Sequence, residues 1–292
     1  MKLLIIRDQQ ELAGEICNVV NQREESIIPI PVAWDAIGDS VDISRLVEQQ
    51  RPDYVLCAVL LPAHSVRTVR KRFRGVVEQI ERCCRKHSLP LLFLSTGAVF
   101  DGTRAAYSEG DEPHPVTESG KFYLDLENHL ARKLHKHIIL RTTWLFSGHS
   151  ENFLTSVIEH ASRDVLISVN SAGKGSPTAL SDLARVLVAI LLQLDSGGDE
   201  WGIYHYSGSD PVIGYQFVEA IVACAAQYNE EIVPARLHFE HNGTASGRFY
   251  FEPVVLNCRK LLDTFGIQQR SWRLVLATTV RQYFEWAEVE NE

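Results

Sequence analysis

The sequence lacks most of the short signatures that announce a chemistry. No apolar run reaches the ~18 residues that a membrane-spanning helix needs, so no membrane partner is expected. The opening MKLLIIRDQQ is too short in its apolar part for a signal-peptide core and reads instead as a first buried strand. Six cysteines are present, yet none forms a CxxC pair, and no Cys/His spacing of a metal site occurs. Adjacent Cys83 and Cys84 read either as a redox pair or as small core residues; the scattered, apolar settings favour the second and a reducing, cytoplasmic home. There is no HExxH array among the histidines and no GxSxG nucleophile elbow, which counts against a zinc protease or an α/β-hydrolase. The formal net charge is −8, so nothing in the balance favours nucleic acid as a partner. No internal repeat or low-complexity tract appears.

What is present is a globular composition, 45% hydrophobic and 23% charged, over 292 residues. Strand-like runs alternate with helical patterns. Lys2–Ile6, Ser26–Ile30, Asp53–Val59, Leu91–Leu94 and His137–Thr142 read as strands, with helices over Leu12–Val20, Ser44–Gln50, Val66–His87 and Glu118–Leu134. That alternation predicts an α/β, Rossmann-type doubly wound parallel sheet, because right-handed crossovers place helices on both faces. Beyond about Glu151 the pattern changes: helices at Asn152–Ala161 and Leu180–Leu194 flank a short strand at Val165–Val169. Then come a strand at Gly202–Tyr206, a helix at Tyr215–Tyr228 and two closing helices. Residues 1–150 are therefore expected to form a Rossmann-like nucleotide-binding core. Residues 151–292 are expected to form mainly a smaller C-terminal substrate lobe, with some segments returning to the core.

The stretch Leu91–Tyr123 is the natural place for a site. An apolar strand ends at Ser95 and Thr96 and runs into a long polar loop, and ligands of open α/β sheets sit beyond the carboxyl ends of strands. The first βα turn is less promising. A dinucleotide needs glycines there so that its pyrophosphate can approach the helix N-terminus. The chain instead reads Arg7-Asp8-Gln9-Gln10-Glu11, with two acids that repel phosphate. A basic cluster follows at Arg67, Arg70, Lys71, Arg72 and Arg74. Arg67, Arg70 and Arg74 share a helical face, open to an anionic ligand, to an acidic protein partner, or simply to solvent.

With these residues in view, the chain resembles the dTDP-4-dehydrorhamnose reductase family of extended short-chain dehydrogenases. LSTGAVFDG (Leu94–Gly102) is similar to that family's STDYVFDG, and Tyr107-Ser108-Glu109 and Pro113-His114-Pro115 to its Y-x-E and P-x-P elements. LRTTWLF (Leu140–Phe146), Asn152-Phe153, Gly175-Ser176-Pro177-Thr178, Asp182-Leu183-Ala184 and Gly202-Ile203-Tyr204-His205 follow in the family's order. The C-terminal Lys260-Leu261, Phe265-Gly266 and Trp272 resemble its closing KL…FG…W segment.

The resemblance implies NADP or NAD as cofactor and a nucleotide sugar as substrate. It also implies a tyrosine as general acid, assisted by a lysine four residues on, with a threonine orienting the keto oxygen. Carried over, Thr96 keeps the threonine, whereas the acid position falls on Ser119 and the lysine position on Tyr123. The glycines of the cofactor turn fall on Arg7, Gln10 and Ala13, leaving Asp42, Ile43 and Ala58 as the remaining cofactor-side contacts. Arg141, Trp144, Ser176 and Thr178 stand where the family lines its substrate side, and each also has a structural reading as a strand end or helix cap. The expectation is a reductase-like protein that is catalytically degenerate and binds a nucleotide sugar or other small molecule, or regulates. An active reductase using Tyr123 or Lys121, and a scaffold recruited through the Arg67–Arg74 face, are the alternatives.

Overall fold

In the computed structural model, residues 1–8, 12–22, 27–62, 65–149, 152–163, 173–232 and 252–290 are described. Strand β1 (Lys2–Arg7) is followed by α1 (Leu12–Gln22), β2 (Ile28–Ala33), α2 (Ile43–Gln50), β3 (Tyr54–Ala58) and α3 (Arg67–His87). Then come β4 (Leu91–Thr96), α4 (Glu118–Lys133), β5 (His137–Thr142), β6 (Leu145–Phe146) and α5 (Phe153–Ser162). The rest comprises β7 (Lys174–Gly175), β8 (Thr178–Ala179), α6 (Leu180–Asp195), β9 (Gly202–His205), β10 (Val212–Ile213), α7 (Gly214–Ala225), α8 (Arg259–Phe265) and α9 (Arg273–Glu290). The strand expected at Val165–Val169 lies outside the described residues, as does the irregular segment after Ile232.

Among the described residues, six strands form a sheet in the order β2-β1-β3-β4-β5-β9, and every pairing in it is parallel. The order reverses between β1 and β3, so their carboxyl ends open a crevice at the switch point. β1, β3 and β4 are buried along nearly their whole length, as continuous apolar runs in a doubly covered parallel sheet require. One face packs α1, α6 and α8 around Ile5, Leu56 and Leu94; the other packs α2, α3 and α4 around Ile6, Val55 and Phe93. A third cluster joins α5, α7 and α9 around Phe146, Phe217 and Trp272. β9 and α8 come from the C-terminal half yet complete the sheet and its cover.

The second strand begins later than its sequence pattern suggests and carries Pro29 and Pro31. It is tolerated because β2 is an edge strand, paired only with β1, where a missing N–H costs no ladder bond on the open side. Helix starts follow ordinary capping. Asp42 accepts from the N–H groups of Ser44 (2.9 Å) and Arg45 (3.2 Å) to open α2, and Thr117 accepts from Gly120 (3.0 Å) to open α4. Gly120 is required for a different reason. A Cβ there would overlap the Ala98 carbonyl oxygen, so its absence lets α4 press against the turn that follows β4. That contact sets the depth at which Ser119 and Tyr123 stand.

Candidate functional site

Beyond the carboxyl ends of β3, β4 and β5 lies a cleft of about 300 Å³. Leu60, Leu61 and Pro62 after β3 form one wall, Thr96 ends β4, and Ser119 and Tyr123 come from α4. Thr142, Thr143, Trp144 and Leu145 follow along and after β5, with Phe153 from α5 and Glu252 completing the lining. Thr96 and Thr142 are paired in register on adjacent strand ends. Thr96 Oγ1 accepts from the Ala98 N–H (3.1 Å), which closes the tight turn after β4. Of the residues singled out from the sequence, the structure thus brings Thr96, Ser119, Tyr123 and Trp144 together.

Tyr123 enters this wall as a fixed group. Its ring is buried against Phe93 and Phe122. Its hydroxyl accepts from the Leu61 N–H (2.8 Å) and donates to the Val59 carbonyl (3.4 Å). Burial pushes the phenol well above its ordinary range, so it does not release a proton readily. Lys121 points elsewhere: its ammonium pairs with Glu118 (3.1 Å), and both line the groove between α3 and α4.

Trp144 takes a left-handed backbone conformation (φ 42°), unusual for a bulky residue and a sign of a position held by its surroundings. Its indole Nε1 donates to the Glu252 carbonyl (2.8 Å), and a Cβ on Gly175 would overlap the ring. Glu252 was not foreseen. It is a half-buried residue of the lining, and burial pushes its carboxyl up to about 7. No motif flags it, and only the placement of its chain segment brings it to the cleft. Thr142 is a second unforeseen lining residue; its Oγ1 is buried without a hydrogen-bond partner among the described residues.

Three residues expected on the substrate side, Arg141, Ser176 and Thr178, are not among the residues lining this cleft. Ser95, Arg141 and His205 stand side by side on β4, β5 and β9, in register, and face α4. There the Arg141 guanidinium meets Glu127: Nε donates to Oε1 (3.0 Å) and Nη2 to Oε2 (2.6 Å), with both side chains 2% exposed. Ser95 Oγ donates to the same carboxylate (2.5 Å), and the Phe100 ring covers the guanidinium at 5.1 Å. Arg141 Nη1 donates to His205 Nε2 (3.4 Å), so the imidazole proton sits on Nδ1 and is donated to the Tyr107 carbonyl (3.1 Å). Burial and the Arg141 charge lower His205 to about 3, and the ring is neutral. Arg141 is thus a core cation in one buried layer with Tyr107 and His205, and half-buried Glu109 accepts from the His205 N–H (2.9 Å) at its margin. Ser176 and Thr178 are likewise buried, the Ser176 carbonyl accepting from Thr143 Oγ1 (2.9 Å) and Thr178 Oγ1 accepting from the Gly208 N–H (3.1 Å).

On the cofactor side, Ala58 is buried at the end of β3 opposite Arg7. Asp42 is an exposed helix cap, and Ile43 lies in the core beneath α2. Across the β1–β3 switch point, Asp8 Oδ2 accepts from the Leu60 N–H (3.3 Å). Among the described residues no group of His, Cys, Asp and Glu could hold a metal, and no helix is long and apolar enough to cross a membrane. The basic face of α3 is divided. Arg72 turns to Asp39 and Trp34, whereas Arg67, Arg70, Lys71 and Arg74 line a groove of about 530 Å³ with Phe122 and Asp125.

A parallel sheet with a switch point and a cleft at its strand ends defines a doubly wound, Rossmann-type α/β fold. The chain belongs within it to the family described as the RmlD substrate binding domain, whose model matches residues 1–284. A dTDP-4-dehydrorhamnose reductase of Aggregatibacter actinomycetemcomitans is 32% identical over 220 residues, covering 73% of this chain and 72% of that protein. The β subunit of a methionine adenosyltransferase 2 from Danio rerio is 25% identical over 66% of this chain and 58% of its own length. Among solved structures, dTDP-4-dehydrorhamnose reductases match the fold. One from Clostridium acetobutylicum has a TM-score of 0.78 at 21% identity, covering 96% of this chain and 99% of that one. One from Bacillus anthracis in complex with NADP has a TM-score of 0.76 at 20% identity, covering 96% and 98%.

Proposed function

We propose that this chain keeps the family's sugar-nucleotide cleft but does not transfer hydride, and that it acts as a binding or regulatory protein. The observation that carries the reading is the Tyr123 hydroxyl at the family's lysine position. Tied to the backbone of residues 59–61, it supplies neither a cation nor a free acid. Ser119, at the acid position, is an alcohol with no cation four residues away to activate it. The cofactor side fits a dinucleotide poorly. Asp8 sets a carboxylate across the switch point, where a pyrophosphate seeks N–H groups and positive charge, and Arg7 and Ala13 stand in for glycines.

Cleft binding is read most simply through Trp144. Titration with dTDP-glucose is expected to change the tryptophan fluorescence of the wild-type protein, and Trp144→Phe is expected to abolish most of that change. An unchanged signal, with no binding by an independent equilibrium method, would remove the sugar-nucleotide reading.

A second reading has its own support. Arg67, Arg70 and Lys71 line an open groove on an otherwise acidic chain, and a relative is named as a subunit of another enzyme. On this reading an acidic protein surface docks on α3 and α4. The Arg67→Glu/Arg70→Glu variant is expected to lose a partner that co-purifies with the wild type while binding dTDP-glucose as before; an unchanged set of co-purifying proteins counts against it.

A further inference from the structure

The cleft contains a carboxyl group that none of the family positions explains. Glu252 sits on a backbone fixed from three sides. Its carbonyl accepts from Trp144 Nε1 (2.8 Å) and from the Val254 N–H (2.8 Å). Pro253 packs against the turn at Gly102, where the glycine leaves no room for a Cβ. Farther on, the Val255 carbonyl accepts from the Tyr107 N–H (2.9 Å) and the Asn257 N–H donates to the Tyr107 carbonyl (2.7 Å). Glu252 therefore lines the cleft from a pinned segment.

Its neighbours there are hydroxyls and hydrocarbon. The loop after β3 contributes Leu60, Leu61 and Pro62; β4 contributes Thr96; α4 contributes Ser119 and Tyr123. The strand end of β5 and the residues after it contribute Thr142 to Leu145, and α5 contributes Phe153. Tyr123 is the one titratable neighbour among these described lining residues, and its hydroxyl is already engaged by the backbone. Among the described residues no lysine, arginine or histidine lines the cleft to balance a carboxylate. A carboxyl withdrawn from water, with no cation beside it, favours its neutral form, which carries a hydrogen-bond donor. Thr142 Oγ1, in the same lining, is buried without a hydrogen-bond partner among the described residues.

We propose that Glu252 is the proton-bearing contact of the cleft, donating a hydrogen bond from its carboxylic acid to a keto or hydroxyl oxygen of a sugar ring seated beside Thr96, Ser119 and Thr142. The proposal rests on the sugar-nucleotide reading and adds the residue that recognises the sugar moiety rather than the nucleotide. Ionisation near pH 7 turns this donor into a bare anion, which repels the ligand's own diphosphate and loses its water when the ring closes over it. The sugar contact is thus made in the acid form and lost as pH rises.

The test is calorimetric titration of the full chain with dTDP-glucose and with dTDP alone, from about pH 6 to pH 8.5, in buffers of different ionisation enthalpy. The wild type is expected to bind dTDP-glucose about tenfold more weakly at the upper pH. It is also expected to take up a proton on binding between about pH 7 and 8, while dTDP alone shows neither effect. Glu252→Gln, which keeps a neutral donor of the same shape, is expected to hold the low-pH affinity at both ends with no proton uptake. Glu252→Ala is expected to bind dTDP-glucose weakly throughout, and its thermal melt reports whether it is folded. Equal affinity and an equal pH profile in all three proteins, or tighter wild-type binding at high pH, would overturn the role of Glu252 and leave the sugar-nucleotide reading standing. Failure of every protein, wild type included, to bind either ligand would overturn both.

Discussion

Glu127→Ala is expected to destabilise the protein by about 3–5 kcal/mol, the range for removing one partner of a buried ion pair. The carboxylate accepts from Arg141 Nε and Nη2 and from Ser95 Oγ, in a layer closed by Phe100 and His205. Without it, a guanidinium 2% exposed is left with the Phe100 ring and a neutral imidazole and no direct carboxylate partner. Urea unfolding at pH 7 measures the effect; a loss below about 1 kcal/mol would mean that water or a rearranged side chain replaces the carboxylate. Arg141→Met together with Glu127→Leu is expected to recover most of the loss, because replacing a whole buried pair by hydrocarbon of similar volume is often neutral. His205 adds a pH dependence of known sign. Its folded-state value is lowered to about 3, so the unfolded chain takes up a proton first as pH falls below the ordinary histidine range. Stability from this residue is present at neutral pH and lost on acidification.

The second large effect concerns catalysis. With NADPH and a dTDP-4-keto-6-deoxy sugar, turnover is expected to fall at least about 10²–10⁴-fold below that of a relative with its acid in place, the usual contribution of a positioned general acid. Loss of the activating cation and of the glycine turn lowers it further. Absorbance of the nicotinamide follows the reaction directly. If NADPH is consumed after all, Tyr123→Phe decides how. Abolished turnover would make Tyr123 the acid despite its two backbone partners, and unchanged turnover would leave it as the pin between α4 and the loop after β3.

The fold was legible because its strands are apolar runs that need cover on both faces and alternate with helical patterns of crossover length. Pro29 and Pro31 hid the length of β2, since a proline is acceptable there only once the strand is known to be an edge. The site was legible in part. Thr96 could be found because it ends an apolar strand, and Ser119, Tyr123 and Trp144 because the family resemblance carries its positions onto them. Arg141, Ser176 and Thr178 could not be sorted into lining or core, because side-chain facing depends on registers that the sequence does not display. Arg141 meets Glu127 only because β5 lies beside β4 beneath α4. Glu252 belongs to no motif and reaches the cleft through a tertiary contact with Trp144, 108 residues away in the chain.

Degeneracy is tested most directly by one calorimetric comparison on the purified chain, with NADPH and NADH in one set of titrations and dTDP-glucose in another. Saturable binding of the sugar nucleotide is expected, with no heat of binding from either dinucleotide up to millimolar concentration. Micromolar binding of NADPH, followed by its oxidation when a dTDP-4-keto sugar is added, would contradict it and return this chain to the working reductases.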